Sequence, residues 1–191
     1  MSAQAAARAF PGPLRVERWA PSARPLAGAL PAELGAERPS DLFATVAVHP
    51  PLLQKLWELL ALLFTDGALT PRQRELVALR TAVRCGCAYE WRRHLAPARA
   101  AGVTDAQLDG LFVGPGWDGW DVADDALVRA VDQILDDGTI GHDLAGWLAQ
   151  LLDDRQLVEL PLLAGTFAGV CALANAAGLD RDASDLRRRG E

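Results

Sequence analysis

A glutamate, a cysteine, a second glutamate and a histidine (Glu75, Cys87, Glu90 and His94) follow one another at spacings of 12, 3 and 4. A helix turns about 100° per residue, so positions i, i+3 and i+7 share one face. Cys87, Glu90 and His94 therefore form a stripe, with Trp91 beside it and Ala98 continuing it. A thiol, a carboxyl and an imidazole on one stripe can exchange hydrogen bonds and shift one another's proton affinities. Such a set suits general acid–base chemistry near neutral pH. A structural reading competes. A Glu–His pair at i, i+4 on a solvated face adds only about 0.2–0.5 kcal/mol, and an isolated Cys is more often a small core residue than a nucleophile. Trp91 weighs against a solvated face, and an ionisable pair in a buried stripe needs a reason.

The elements that must position this stripe read as helices. Ala and Leu dominate and β-branched runs are scarce, which predicts an all-α fold. Thr70, Pro71 and Gln73 spell a helix start with a capping box. Leu76, Val77, Leu79 and Val83 give that helix its apolar face, and Gly86 is placed to bend or break it just before the Cys/Glu/His stripe. Pro97 falls inside the following helical pattern and predicts a kink. Upstream, Ser40 or Asp41 caps a short helix to Val48, and a nearly continuous apolar run from Leu52 to Phe64 predicts a buried helix. Downstream, Thr104 and Gln107 repeat the capping box, and helices are expected over 121–136, 142–152 and 154–177, with Pro161 inside the last. Between them lies a glycine-rich loop with Trp117 and Trp120, readable as a lid, a subunit contact or a plug at the core edge.

Residues 1–39 are rich in Pro, Ala and Arg and read as an irregular arm; residues 40–180 form the helical domain and 181–191 a charged tail. A weak internal repeat aligns residues 74–79 with 155–160, and only the first copy carries the site residues.

The 191-residue chain is long enough for one sizeable core. A formal net charge of −6 without a basic stripe argues against nucleic-acid binding. Three cysteines make no secreted disulfide framework. Cys85, Cys87 and His94 lack the second ligand pair of a structural zinc site, so no metal is expected. No signal peptide or membrane span is read, because the run at Leu52–Phe64 is too short and carries Lys55 and Glu58; a cytoplasmic protein is expected.

The segment PRQRELVALRTAVRCGCAYEWRRHLAPARAAGV resembles the carboxymuconolactone decarboxylase and alkylhydroperoxidase-like superfamily, with flanking support across roughly residues 40 to 180. The resemblance implies an all-α single-domain bundle that assembles as a trimer or hexamer. Peroxidase members carry a Cys-x-x-Cys pair with an upstream glutamate and a downstream histidine. Here those positions fall on Glu75, Cys87 and His94, but Glu90 holds the second cysteine's place. A glutamate cannot close a disulfide. The decarboxylase-type branch, which lacks the pair, fits better and implies no metal and no organic cofactor. On that reading Glu90 and His94 deliver a proton to a small carboxylated lactone or enol. Glu75 orients His94, Cys87 lines or tunes the pocket, and Arg80, Arg84 and Trp91 bind the substrate acid. The alternatives are a thiol-dependent peroxidase through Cys87 and a non-catalytic binding or assembly protein that keeps the fold.

Overall fold

The structure, a computed structural model, describes residues 40–179; the expected N-terminal arm and charged tail lie outside the described residues. Every regular element among these residues is helical: α1 (Asp41–Val46), α2 (Pro50–Ala61), a π-helical turn (Leu62–Asp66), α3 (Pro71–Arg84), α4 (Ala88–Ala100), α5 (Asp105–Val113), α6 (Val122–Asp137), α7 (His142–Leu151) and α8 (Asp154–Ala177). The all-α expectation holds. The described residues divide into two compact units, one of residues 40–62 with 173–179 and one of Leu63–Ala172.

In the first unit, the Ser40 hydroxyl accepts from Phe43 N to start α1. His49 Nδ1 accepts from Leu52 N to start α2, with Pro50 and Pro51 filling its first turn. Phe43 meets Trp57 edge-on at 5.3 Å. The expectation that α2 is buried throughout fails. Leu53 and Leu60 are buried, whereas Leu52 is 52% and Leu59 39% exposed. Two buried leucines a heptad apart describe one inward stripe, and Leu52, Leu59 and Leu62 lie outside it, exposed.

The second unit holds the site. Both expected capping boxes form, at Thr70/Gln73 and Thr104/Gln107, each side chain accepting from the other residue's backbone N–H. Gly86 adopts φ +59°, a left-handed conformation that glycine reaches without a Cβ clash, and it ends α3 two residues before α4 begins. The predicted break is therefore a sharp corner. Pro97 and Pro161 both lie inside continuous helices and split neither.

Leu76, Leu79, Ala98, Val103, Leu108, Leu111 and Val128 form the core, with Trp91, Leu95 and Trp120 packed on it. Ion pairs set the register of α3 on α6. Arg72 pairs with Asp124, Arg80 with Asp132 and Arg84 with Asp136, each 52 residues on. A constant offset means the two helices run parallel. Glu159 on α8 accepts from the backbone of Ala68 and Leu69, fixing the loop that enters α3.

Trp117 and Trp120 sit edge-to-face at 5.1 Å, and Trp120 Nε1 donates to Gly114 O. A Cβ at Gly110 would come within 2.5 Å of the Trp117 ring. These contacts match the core-edge plug among the three readings of this loop. Helix α8 is long and apolar enough to cross a membrane by length and composition, more so than the run at Leu52–Phe64. Within the fold it buries Leu160, Leu163, Ala164, Phe167 and Cys171.

Candidate active site

Glu75 lies on the second turn of α3 and is 2% exposed. The corner at Gly86 folds α4 back so that His94, 19 residues on, meets it: His94 Nδ1 is 2.6 Å from Glu75 Oε2. A carboxylate at that distance accepts the Nδ1 proton and directs Nε2 the other way. His94 Nε2 then faces Glu90 Oε2 at 3.6 Å, one helical turn back on α4. The result is a line of carboxyl, imidazole and carboxyl. Sequence spacing brings Glu90 and His94 together, and the helix corner brings Glu75 to them.

The surroundings are apolar. Phe167 of α8 packs edge-on to the His94 ring at 4.9 Å, and Phe64 lies at 5.4 Å. Glu90 is 3% exposed. Burial pushes its carboxyl above the usual range, opposed by the charges of His94 and Arg93. Its Oε1 is buried without a hydrogen-bond partner. A second buried polar atom without a hydrogen bond is Arg74 Nε, 3.7 Å from Glu75 Oε1. The Arg74 guanidinium lies over the Phe64 ring at 5.1 Å. Unpaired buried polar atoms are costly, about 1–3 kcal/mol each, and in native proteins they mark strain, catalysis or a ligand.

The substrate-anchoring role expected of Arg80 and Arg84 does not match their surroundings. Arg80 binds Asp132 through two hydrogen bonds of 2.7 and 2.6 Å and donates to the Leu111 carbonyl. Arg84 binds Asp132 and Asp136. Both guanidiniums are committed to helix packing. Trp91 packs on the core and meets Phe112 at 4.7 Å. The arginine beside the Glu75–His94 pair is Arg74, one residue before Glu75, which the sequence reading passed over. The signal available for it was adjacency to a buried glutamate.

Cys87 is the N-cap position of α4 and is 1% exposed. Cys171 of α8 hydrogen-bonds to both Cys87 and Cys85. Cys171 is 84 residues beyond Cys87 in the chain, and the fold brings it to the corner. Among the described residues no group of three or more His, Cys, Asp or Glu side chains is arranged to hold a metal ion. A cleft of about 560 Å³ lies elsewhere, lined in part by Trp117, Trp120, Asp121, Asp125, Arg129 and Trp147.

The fold is all-α among the described residues, and a helix corner sets a buried glutamate on a histidine. Residues 50–134 match the sequence profile of the carboxymuconolactone decarboxylase family. Over those residues the chain is similar to the carboxymuconolactone decarboxylase family. It is similar in structure to a protein of unknown function from Agrobacterium tumefaciens, described as a candidate antioxidant defence protein AhpD. That likeness has 21% identity and a TM-score of 0.60, over 68% of this chain and 89% of that one. It is also similar to an uncharacterized peroxidase-related protein from Silicibacter sp. TM1040, with 15% identity and a TM-score of 0.72, over 89% of this chain and 91% of that one. At these identities the likeness is one of fold. No curated protein matches the sequence.

Proposed function

We infer that the protein is a cofactor-independent lyase or isomerase that moves protons on a small carboxylated lactone or enol. The observation that carries this reading is the line Glu75–His94–Glu90, flanked by two buried polar atoms without hydrogen-bond partners, Glu90 Oε1 and Arg74 Nε. A substrate acid would satisfy both. Its carboxylate or lactone oxygen would take the Arg74 donor, and its reacting carbon would face Glu90. Burial favours the protonated form of Glu90, which is the form that can act as a general acid.

In a decarboxylation, the C–C bond to the carboxylate breaks and leaves its electron pair in an extended enolate. The Glu90 O–H then gives its proton to carbon. His94 Nε2 takes a proton from solvent and passes it to the Glu90 carboxylate, while the Glu75 carboxylate holds the Nδ1–H and stabilises the imidazolium that exists between these two transfers. Glu75 is thus a positioning residue. Cys87, buried at the N-cap of α4, contributes no proton to this scheme.

The same reading takes the protein as a homo-oligomer, a trimer or hexamer, supported by outward apolar side chains at Leu52, Leu59 and Leu62. Sedimentation should give three or six chains, and a monomer would contradict it.

The direct test offers wild type, E90Q, H94A and E75Q a panel of γ-lactone carboxylic acids and β-keto acids, following carbon dioxide release and loss of enol absorbance. Turnover by wild type and not by E90Q or H94A supports the reading. Equal turnover in all four, or in none, contradicts it.

A further inference from the structure

Three tryptophans and four aspartates line the cleft of about 560 Å³, and none of Glu75, Glu90 or His94 is among its lining residues. Its walls come from the loop after α5, from α6 and from the first turns of α7. A cleft of this size suits a small molecule.

The aromatic wall is held in place by its own loop. The Trp117 and Trp120 rings stand at 75° to one another, with centroids 5.1 Å apart. Trp120 Nε1 donates to the Gly114 carbonyl and fixes that ring. Gly110 and Gly119 make room for the Trp117 ring, where a Cβ would come within 2.5 and 2.1 Å of it. The Gly116 N–H donates to Asp125 Oδ1 and ties the loop to α6. The third indole, Trp147 of α7, is 45% exposed. A plug at the core edge accounts for Trp120, which packs on the core. It does not account for an exposed tryptophan on the same cleft.

The charge is one-sided. Asp118, Asp121, Asp125 and Asp143 face one cation, Arg129, which is already paired with Asp125 at 2.8 Å. The other three aspartates are exposed and have no ion-pair partner among the described residues. Asp121 caps α6 through Oδ1, and Asp143 lies in the first turn of α7, where a carboxylate suits the helix dipole. Those roles explain each carboxylate singly, but not why they share a cleft with three indoles. They are not arranged to hold a metal ion. An indole face attracts a cation, and a cleft lined by one sign of charge concentrates the opposite sign. Both properties select the same ligand, and both disfavour an anionic acid.

We propose that this cleft binds a small organic cation, a quaternary ammonium or protonated amine with an apolar body. Trp117, Trp120 and Trp147 pack against it, and Asp121 and Asp143 balance its charge. The site is separate from the line of Glu75, His94 and Glu90 and does not rest on the function inferred there.

The test titrates the full chain calorimetrically with benzyltrimethylammonium at low ionic strength, with benzyl alcohol and benzoate as the neutral and anionic counterparts. One cation should bind per chain, and both counterparts should bind at least about tenfold more weakly. Added salt should weaken the cation's binding, because the unpaired carboxylates are exposed. W147A should weaken it about tenfold, and so should D121N and D143N combined. Asparagine caps a helix as well as aspartate does, so the start of α6 survives that change. E90Q should bind the cation as wild type does, which keeps this outcome distinct from that of the acid–base site. No binding of the cation, equal binding of either counterpart, or wild-type affinity in both W147A and the double variant would overturn the proposal. A wild type that ignores the cation while W147A changes the sedimentation mass would assign the cleft to a contact between copies of the chain, and would overturn it too.

Discussion

Glu75 and His94 meet at 2.6 Å although they lie 19 residues apart and on different helices. One helix would not serve, because residues 19 apart on a straight helix are about 28 Å from each other at 1.5 Å per residue. The corner at Gly86 folds the second helix back against the first. Ordering the imidazole through Nδ1 leaves Nε2 as the atom that faces Glu90 and any substrate. E75Q keeps the shape and removes the charge that stabilises an imidazolium. Turnover in E75Q should fall by an order of magnitude or more, and H94A should fall further. Steady-state kinetics on the best substrate of the panel reads both.

Glu90 makes a pH prediction of definite sign. Burial raises its folded-state pKa above the unfolded value. Between those two values the folded state holds more protons, so stability falls as pH rises across that window and then levels off. E90Q lacks the titration. Melting temperature against pH should show wild type losing stability upward from the ordinary carboxyl range while E90Q stays flatter. Parallel curves would show that Glu90 is not held protonated.

Arg74 should act on binding. Its Nε is buried without a hydrogen bond beside Glu75. R74A should raise KM more than it lowers kcat, because an interaction made equally in ground and transition states affects binding alone. An unchanged KM would remove Arg74 as the carboxylate anchor.

Arg80 should act on stability. Its side chain is 7% exposed and bound twice to Asp132. R80A leaves the Leu111 carbonyl without its donor and Asp132 with Arg84 as its partner, and should cost about 1–3 kcal/mol. Removing the exposed Lys55–Glu58 pair should leave stability almost unchanged. Urea denaturation of R80A and K55A measures the contrast.

Local features of the fold were legible in the sequence because their signals are local. The two capping boxes, the break at Gly86 and the starts of α6, α7 and α8 rest on residues within a few positions of each other. The Glu90–His94 pair, one turn apart on α4, was legible for the same reason. Pairings across the fold were not. Arg80 and Arg84 find their acids 52 residues away on α6, and helical phase on α3 alone cannot distinguish a packing arginine from a binding one. Cys171 reaches the corner through the placement of α8, which no spacing encodes. The exposure of Leu52 and Leu59 was missed because a nearly continuous apolar run does not say which of its faces is covered.

The central claim is that Glu90 and His94 deliver a proton to carbon. Its most direct measurement runs the panel of lactone and β-keto acids in deuterium oxide and follows carbon-bound deuterium by NMR. Wild type should place deuterium at the carbon adjacent to the lost or enolised carboxyl, and E90Q and H94A should leave it at the level of buffer alone. Deuterium incorporation by E90Q and H94A at the wild-type rate would contradict the account.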